Sequence, residues 1–149
     1  MRVETYSDKY LTDVISLIEN FHAEAVSEYD GVIDKAAIIE TIKTAEHNTA
    51  FLLIINDVAQ GILYGTMLRS PMNGGQIFQE FIWYVNKEFR GKGVWLLEEV
   101  QKYLKSSGVS IMIMAVLENS KTDKIKKFYE RLGFKKMETH YVRSLNGLG

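Results

Sequence analysis

The stretch Val85-Asn86-Lys87-Glu88-Phe89-Arg90-Gly91-Lys92-Gly93-Val94-Trp95-Leu96-Leu97 decides the reading of this chain, because it runs from a strand through a glycine-containing turn into a helix. A helix start leaves about four backbone N–H groups unpaired and carries positive partial charge. Gly91 and Gly93 let the main chain approach a ligand with no Cβ in the way, and that combination favours a phosphate or pyrophosphate. Arg90 and Lys92 add cations at the same turn, and a guanidinium can grip a phosphate through two hydrogen bonds. Two better-known phosphate loops are excluded. The dinucleotide fingerprint needs three glycines at fixed spacing on an early strand of a parallel sheet, and the nucleoside-triphosphate loop ends in Gly-Lys-Ser or Gly-Lys-Thr. Taken alone, Arg-Gly-Lys-Gly also suits a simple exposed strand-to-helix turn.

Working upstream, Gln76 to Val85, Val58 to Arg69 and Phe51 to Ile55 read as three strands joined by Asn56-Asp57 and by residues 70–75, an antiparallel meander. A strand Val3 to Tyr6 and two helices precede them. The first helix is capped by Ser7 and carries Leu11, Val14, Ile15, Ile18, Phe21 and Ala25 at helical spacing; the second is capped by Asp34 and carries Ile38, Ile39, Ile42 and Ala45. Downstream, a helix with Leu96, Leu97, Val100, Tyr103 and Leu104 stops at Gly108. The strand Val109 to Val116 that follows is apolar enough to be expected buried on both faces. A last helix, with Ile125, Phe128, Tyr129 and Leu132, ends at Gly133, and a final strand is expected near Glu138 to Arg143. The order β-α-α-β-β-β-α-β-α-β predicts an α/β fold in one domain over residues 1–149. Its mixed sheet combines an antiparallel N-terminal meander with a parallel strand pair near the glycine turn.

Composition narrows the classes further. In 149 residues, 46% hydrophobic and 25% charged side chains exclude disorder and a coiled coil. The absence of cysteine excludes disulfides, thiolate zinc sites and cysteine nucleophiles and fits a reducing compartment. No apolar run approaches the ~18 residues of a membrane span, so a cytoplasmic location without membrane association is expected. The histidines at 22, 47 and 140 have no local ligand spacing, and no metal is expected. The net charge of −1 conceals 4 basic against 10 acidic residues over 1–48 and 8 against 3 over 121–149. A pI near 6.3 argues against a nucleic-acid partner.

Arg90-Gly91-Lys92-Gly93-Val94 after a strand resembles the acyl-CoA pyrophosphate loop of the GNAT superfamily of N-acetyltransferases, whose pattern is Gln/Arg-x-x-Gly-x-Gly/Ala. Asn119, followed by a helix ending Phe128-Tyr129-Glu130-Arg131-Leu132-Gly133-Phe134, is similar to the family's second signature, Asn and then Phe/Leu-Tyr-x-Lys/Arg-x-Gly-Phe. The two lie about 40 residues apart on the expected elements, and the element order matches throughout. Two positions depart from the pattern. Trp95 stands where the loop has its final small residue, and the spacing from Asn119 to Tyr129 is lengthened at Ser120-Lys121-Thr122-Asp123.

The resemblance implies acetyl-CoA as cosubstrate and acetyl transfer to a primary amine of a small molecule or protein. It assigns CoA binding to Arg90, Gly91, Lys92, Gly93, Val94, Trp95 and Asn119, with the pantetheine arm along Ile82, Trp83, Tyr84 and Val85, where a backbone N–H polarises the thioester. Tyr129 matches the tyrosine that protonates the leaving thiolate; its other reading is core packing beside Ile125 and Phe128. Glu80, the carboxylate inside the strand Gln76 to Val85, is the candidate base, or else is paired or turned to solvent. His22, Glu24, Tyr29 and His140 are acceptor-site candidates, because acceptors in this family sit between the first helices and the late strands. Glu24, Glu28 and Asp30 would attract a cationic amine such as a lysine, a polyamine or an aminoglycoside, while Lys121, Lys124, Lys126 and Lys127 would flank CoA. A homodimer is compatible with the resemblance. The competing reading is a GNAT-like CoA-binding protein without turnover that acts as a regulatory partner.

Overall fold

The structure, a computed structural model, describes residues 1–26, 32–44, 46–117 and 121–146. Five strands form one sheet in the order β1-β2-β3-β4-β5: β1 Arg2–Thr5, β2 Asn48–Ile55, β3 Val58–Arg69, β4 Gln76–Val85 and β5 Val109–Ile113. Neighbours from β1 to β4 are antiparallel, and β5 joins β4 in parallel. Asn56 and Asp57 both take positive φ, the two-residue turn that matches the twist of a tight hairpin between β2 and β3.

Helices cover both faces. α1 (Leu11–Phe21) and α2 (Lys35–Thr44) lie on one side, α3 (Gly93–Ser106) and α4 (Thr122–Arg131) on the other. Strand alternation divides the core accordingly: Leu52, Ile54 and Ile62 pack with Val14 and Leu17, while Phe51, Leu53 and Leu63 pack with Leu96, Leu97 and Val100, all essentially solvent-free. Each such side chain contributes about 1.5–3 kcal/mol by leaving water. Asp34 caps α2 as its position predicts, its Oδ1 accepting the Ala37 N–H at 3.1 Å. Ser7 makes no side-chain cap; a 3-10 turn, Asp8–Tyr10, opens the way into α1 instead.

Two expectations need correction. β5 ends at Ile113 and is not buried on both faces, since Ile111 is about half exposed. The expected last strand, Glu138 to Arg143, does not form: residues 135–146 pair with no strand, and Met137, Tyr141, Val142 and Leu145 are exposed. Alternation there puts Glu138 and His140 on one side with Val142, and Thr139 and Arg143 on the other with Met137 and Tyr141. Neither face buries enough apolar area to offset the entropy of ordering the chain.

β4 has an irregularity that positions everything below. Tyr64 pairs with Ile82 but Gly65 pairs with Glu80, which leaves Phe81 as an extra residue, a β-bulge. Gly65 permits it: a Cβ there would lie 2.3 Å from the Gln79 carbonyl oxygen. The bulge inverts the alternation, so Phe78 and Glu80 share the α3/α4 side with Trp83 and Val85, while Ile82 and Tyr84 turn to α1 and α2. Pairing with β5 stops at Gln79↔Ile113. Past that point the two strands separate, and among the described residues the second half of β4 has no strand on that side.

Candidate active site

The separation of β4 from β5 is bridged by side chains. Glu80 is 8% exposed and accepts the Ala115 N–H at 2.8 Å; Tyr129, on α4, donates its hydroxyl to the Ala115 carbonyl at 3.1 Å. The backbone of one residue past the end of β5, Ala115, therefore holds both candidate catalytic groups. Desolvation raises the Glu80 carboxyl to about 7, opposed in part by the Ala115 N–H. Burial first, and the charge of Glu80 second, push the Tyr129 phenol far above its ordinary value. A carboxyl poised near neutrality suits proton abstraction, whereas so raised a phenol is a weak acid while Glu80 is charged.

Beside them, Trp83 stacks on Phe128 and Tyr129 with ring centroids 5.7 and 5.9 Å apart. Its indole Nε1 is buried without a hydrogen-bond partner among the described residues. β4 then passes into a 3-10 stretch, Lys87–Lys92, and directly into α3. Asn86 anchors this passage: its backbone N–H and side-chain amide both donate to Gln60, at 2.9 and 2.8 Å, and its carbonyl accepts the Phe89 N–H.

Nothing in the chain itself demands glycine at 91 or 93. Neither has positive φ, a Cβ on Gly91 would meet nothing within 4 Å, and one on Gly93 would reach Trp83 and Val85 only at an ordinary 3.6 Å. Missing Cβ atoms there keep space clear at the start of α3. Together with the Trp83 donor and the half of β4 left open on its β5 side, they fit a long amide-bearing arm ending in a phosphate. Val94 and Trp95 are half-buried, and the Trp95 ring packs against the core cluster of α3. On α4, Lys124, Lys127 and Arg131 share an exposed surface with Glu130.

Arg90 points elsewhere than expected. Its guanidinium pairs with Glu24, in a π-helical turn, His22–Val26, that continues α1; it also reaches the Val85 carbonyl at 3.4 Å and lies over the Tyr84 ring. Tyr84 donates to the same carboxylate at 2.9 Å, and Lys87 lies 3.9 Å from it. Partial burial works to raise Glu24, but the hydrogen bonds from Tyr84 and Arg90 and the nearby cations outweigh it and hold the carboxyl below its usual range. Glu24 is thus a structural tie between the acidic region and the glycine turn.

His22 lines a cavity of about 430 Å3 between α1, α2 and the bulge of β4, and its Nε2 is buried with no partner among the described residues. His140 is not brought there: with no last strand it stays exposed, 3.0 Å from Glu138. Tyr29 and Asn119, like Glu28 and Asp30, lie outside the described residues. Sequence reasoning missed Phe81, Asn86 and Ala115. Gly65 opposite the bulge was the available signal for the first; a peptide group such as that of Ala115 leaves no mark in residue types.

The chain belongs to the acetyltransferase (GNAT) family, a model of which matches residues 13–134. It is therefore classed with the N-acetyltransferases, a kind of acyltransferase. No curated protein sequence matches it. Among solved structures it is similar to an aminoglycoside acetyltransferase from an uncultured soil metagenomic sample, with 16% identity, TM-score 0.76, and 97% of this chain and 98% of that one covered. A ribosomal-protein-alanine N-acetyltransferase from Brucella melitensis biovar Abortus gives 16% identity and TM-score 0.78 over 97% and 98% of the two chains. A transcriptional regulator from Bacillus halodurans gives 14% and 0.72 over 94% and 99%. At such identities the likeness is one of fold. Among the described residues, no helix is long and apolar enough to cross a membrane.

Proposed function

We propose that the protein transfers the acetyl group of acetyl-CoA to a primary amine in the cytoplasm. The observation that carries this reading is the half of β4, Glu80 to Val85, that pairs with β3 but, among the described residues, has no strand on its β5 side, and leads straight into the Gly91–Gly93 turn at the start of α3. Acetyl-CoA, when bound, supplies an acetyl thioester and leaves as a thiolate. In the proposal, backbone N–H groups between Ile82 and Val85 hold the pantetheine amides and polarise the thioester carbonyl. Gly91, Lys92, Gly93, Val94 and Trp95 receive the pyrophosphate at the α3 start, with the α4 lysines flanking it. Glu80, on the α3/α4 side of β4, takes the amine's proton through a water at the open edge of the strand. Protonation of Glu80 removes the smaller of the two causes that hold the Tyr129 phenol up, burial being the larger, and the Tyr129 hydroxyl donates toward the sulfur; the backbone of Ala115 holds both groups.

Titration calorimetry with CoA, followed by thiol release from acetyl-CoA in the presence of amines, tests this. Gly91→Glu, at an exposed position where a Cβ meets nothing within 4 Å, should abolish CoA binding with the fold intact; no CoA binding by the unaltered protein at millimolar concentration would sink the proposal. A second reading, a CoA-binding regulator without turnover, is favoured by one observation: the Arg90 and Tyr129 side chains are already engaged, with Glu24 and Ala115. CoA binding with no thiol release from any amine would support that alternative.

A further inference from the structure

The cavity that holds His22 differs in chemistry from the acceptor site expected of an acidic N-terminal region. Its walls are mostly apolar, including Phe21, Ile38 and Ile42 from the helices and Phe81 and Ile82 from the bulge. The carboxylate that lines it, Asp34, has one oxygen committed to the cap of α2. Glu24 is absent from the lining and is held by Arg90 and Tyr84. The cavity also offers the buried Nε2 of His22, which has no hydrogen-bond partner among the described residues. Buried nitrogens are seldom left so, because the lost hydration is not recovered.

We infer that this cavity takes a primary amine carried on a single apolar body, aromatic or branched aliphatic, in preference to a polycation, and that His22 Nε2 accepts a hydrogen bond from the amine. The inference rests on the N-acetyltransferase reading and names its substrate class. A volume of about 430 Å3 lies within the ~300–1,000 Å3 of pockets that enclose small organic molecules. Apolar walls disfavour the ammonium form, so the bound amine loses its proton more readily, which attack on a carbonyl requires. Asp34 is the one carboxylate among the described lining residues and has one oxygen committed to the α2 cap, so the further ammonium groups of a polyamine would find little counter-charge there. Phe81 and Ile82 adjoin Glu80 in the chain, so an amine seated against them lies beside the strand edge where the proposed thioester would be held.

The test uses the full chain and two probes, 2-phenylethylamine and spermidine. Calorimetry without acetyl-CoA should show 2-phenylethylamine binding more tightly, and thiol release with acetyl-CoA should favour it at least tenfold in kcat/KM. His22→Leu should weaken amine binding about tenfold, the order of one buried hydrogen bond, while CoA affinity stays unchanged and His22→Gln restores much of the loss. Thr41→Asp, at an exposed α2 position on the cavity rim, should shift preference toward spermidine and does not depend on refolding the core. Tighter or faster use of spermidine by the unaltered protein overturns the inference and leaves the acetyltransferase reading standing. So does failure of millimolar 2-phenylethylamine to bind. Binding that is sensitive to His22→Leu but yields no thiol release supports the cavity's chemistry and overturns the acetyltransferase reading instead.

Discussion

On the side of β4 that meets α1 and α2, Phe81 and Ile82 border an apolar cavity with a nitrogen that has no partner among the described residues. On the side that meets α3 and α4, Glu80, Ala115 and Tyr129 form a closed polar chain beside the Trp83–Phe128 stack. The same strand thus presents a wall suited to an uncharged body and, across its thickness, a buried carboxyl held ready to change charge. One extra residue, Phe81, separates the two. Without the bulge, strict alternation would put Glu80 and Ile82 on the same side and mix the two environments. The comparison teaches that division of labour in this sheet comes from strand irregularity and not from separate elements.

The largest effect that would test this division is Glu80→Gln. If the polar side carries proton transfer, turnover should fall ~10²–10⁴-fold and the acidic limb of the pH–rate profile near 7 should vanish. Amine affinity, which belongs to the other side, should be nearly unchanged by calorimetry. The same variant has a stability signature. Because the folded carboxyl titrates near 7 against an ordinary 4.5, the native state binds the proton more tightly. The stability contributed by its neutral form is therefore complete below about 4.5 and is lost as pH rises through about 7, by up to about 3 kcal/mol. Melting temperatures of the unaltered protein should fall relative to Glu80→Gln across that window. Parallel curves would mean that Glu80 is solvated.

Tyr129→Phe keeps the ring stack and removes only the hydroxyl. Turnover should drop at least tenfold with CoA affinity preserved and a stability change of about 1 kcal/mol, the worth of one hydrogen bond. Wild-type turnover would make Tyr129 a packing residue. The smallest effect concerns the tie between the two sides of the loop. Glu24→Gln should release Arg90 and tighten CoA binding by about threefold, as expected for a half-exposed ion pair worth under 1 kcal/mol. Weaker CoA binding would show that the pair, and not a free guanidinium, shapes the glycine turn.

Local chemistry was legible in the residues alone. The strands Val58–Arg69 and Gln76–Val85 lie where their patterns put them, Asp34 caps its helix, and positive φ at Gly108 and Gly133 follows α3 and α4 as expected. Those features depend on periodicity, φ/ψ preference and contacts a few residues long. The turn from β4 into α3 is of the same kind, which is why the family resemblance was readable from it. Tertiary structure alone decided that Glu80 is buried, that Tyr129 reaches Ala115, that Arg90 pairs with Glu24, and that residues 135–146 form no strand. Each of these turns on which neighbour a side chain or strand edge finds. A single bulge, set by the close approach of Gly65 to Gln79, reverses every facing that strand alternation would assign beyond it.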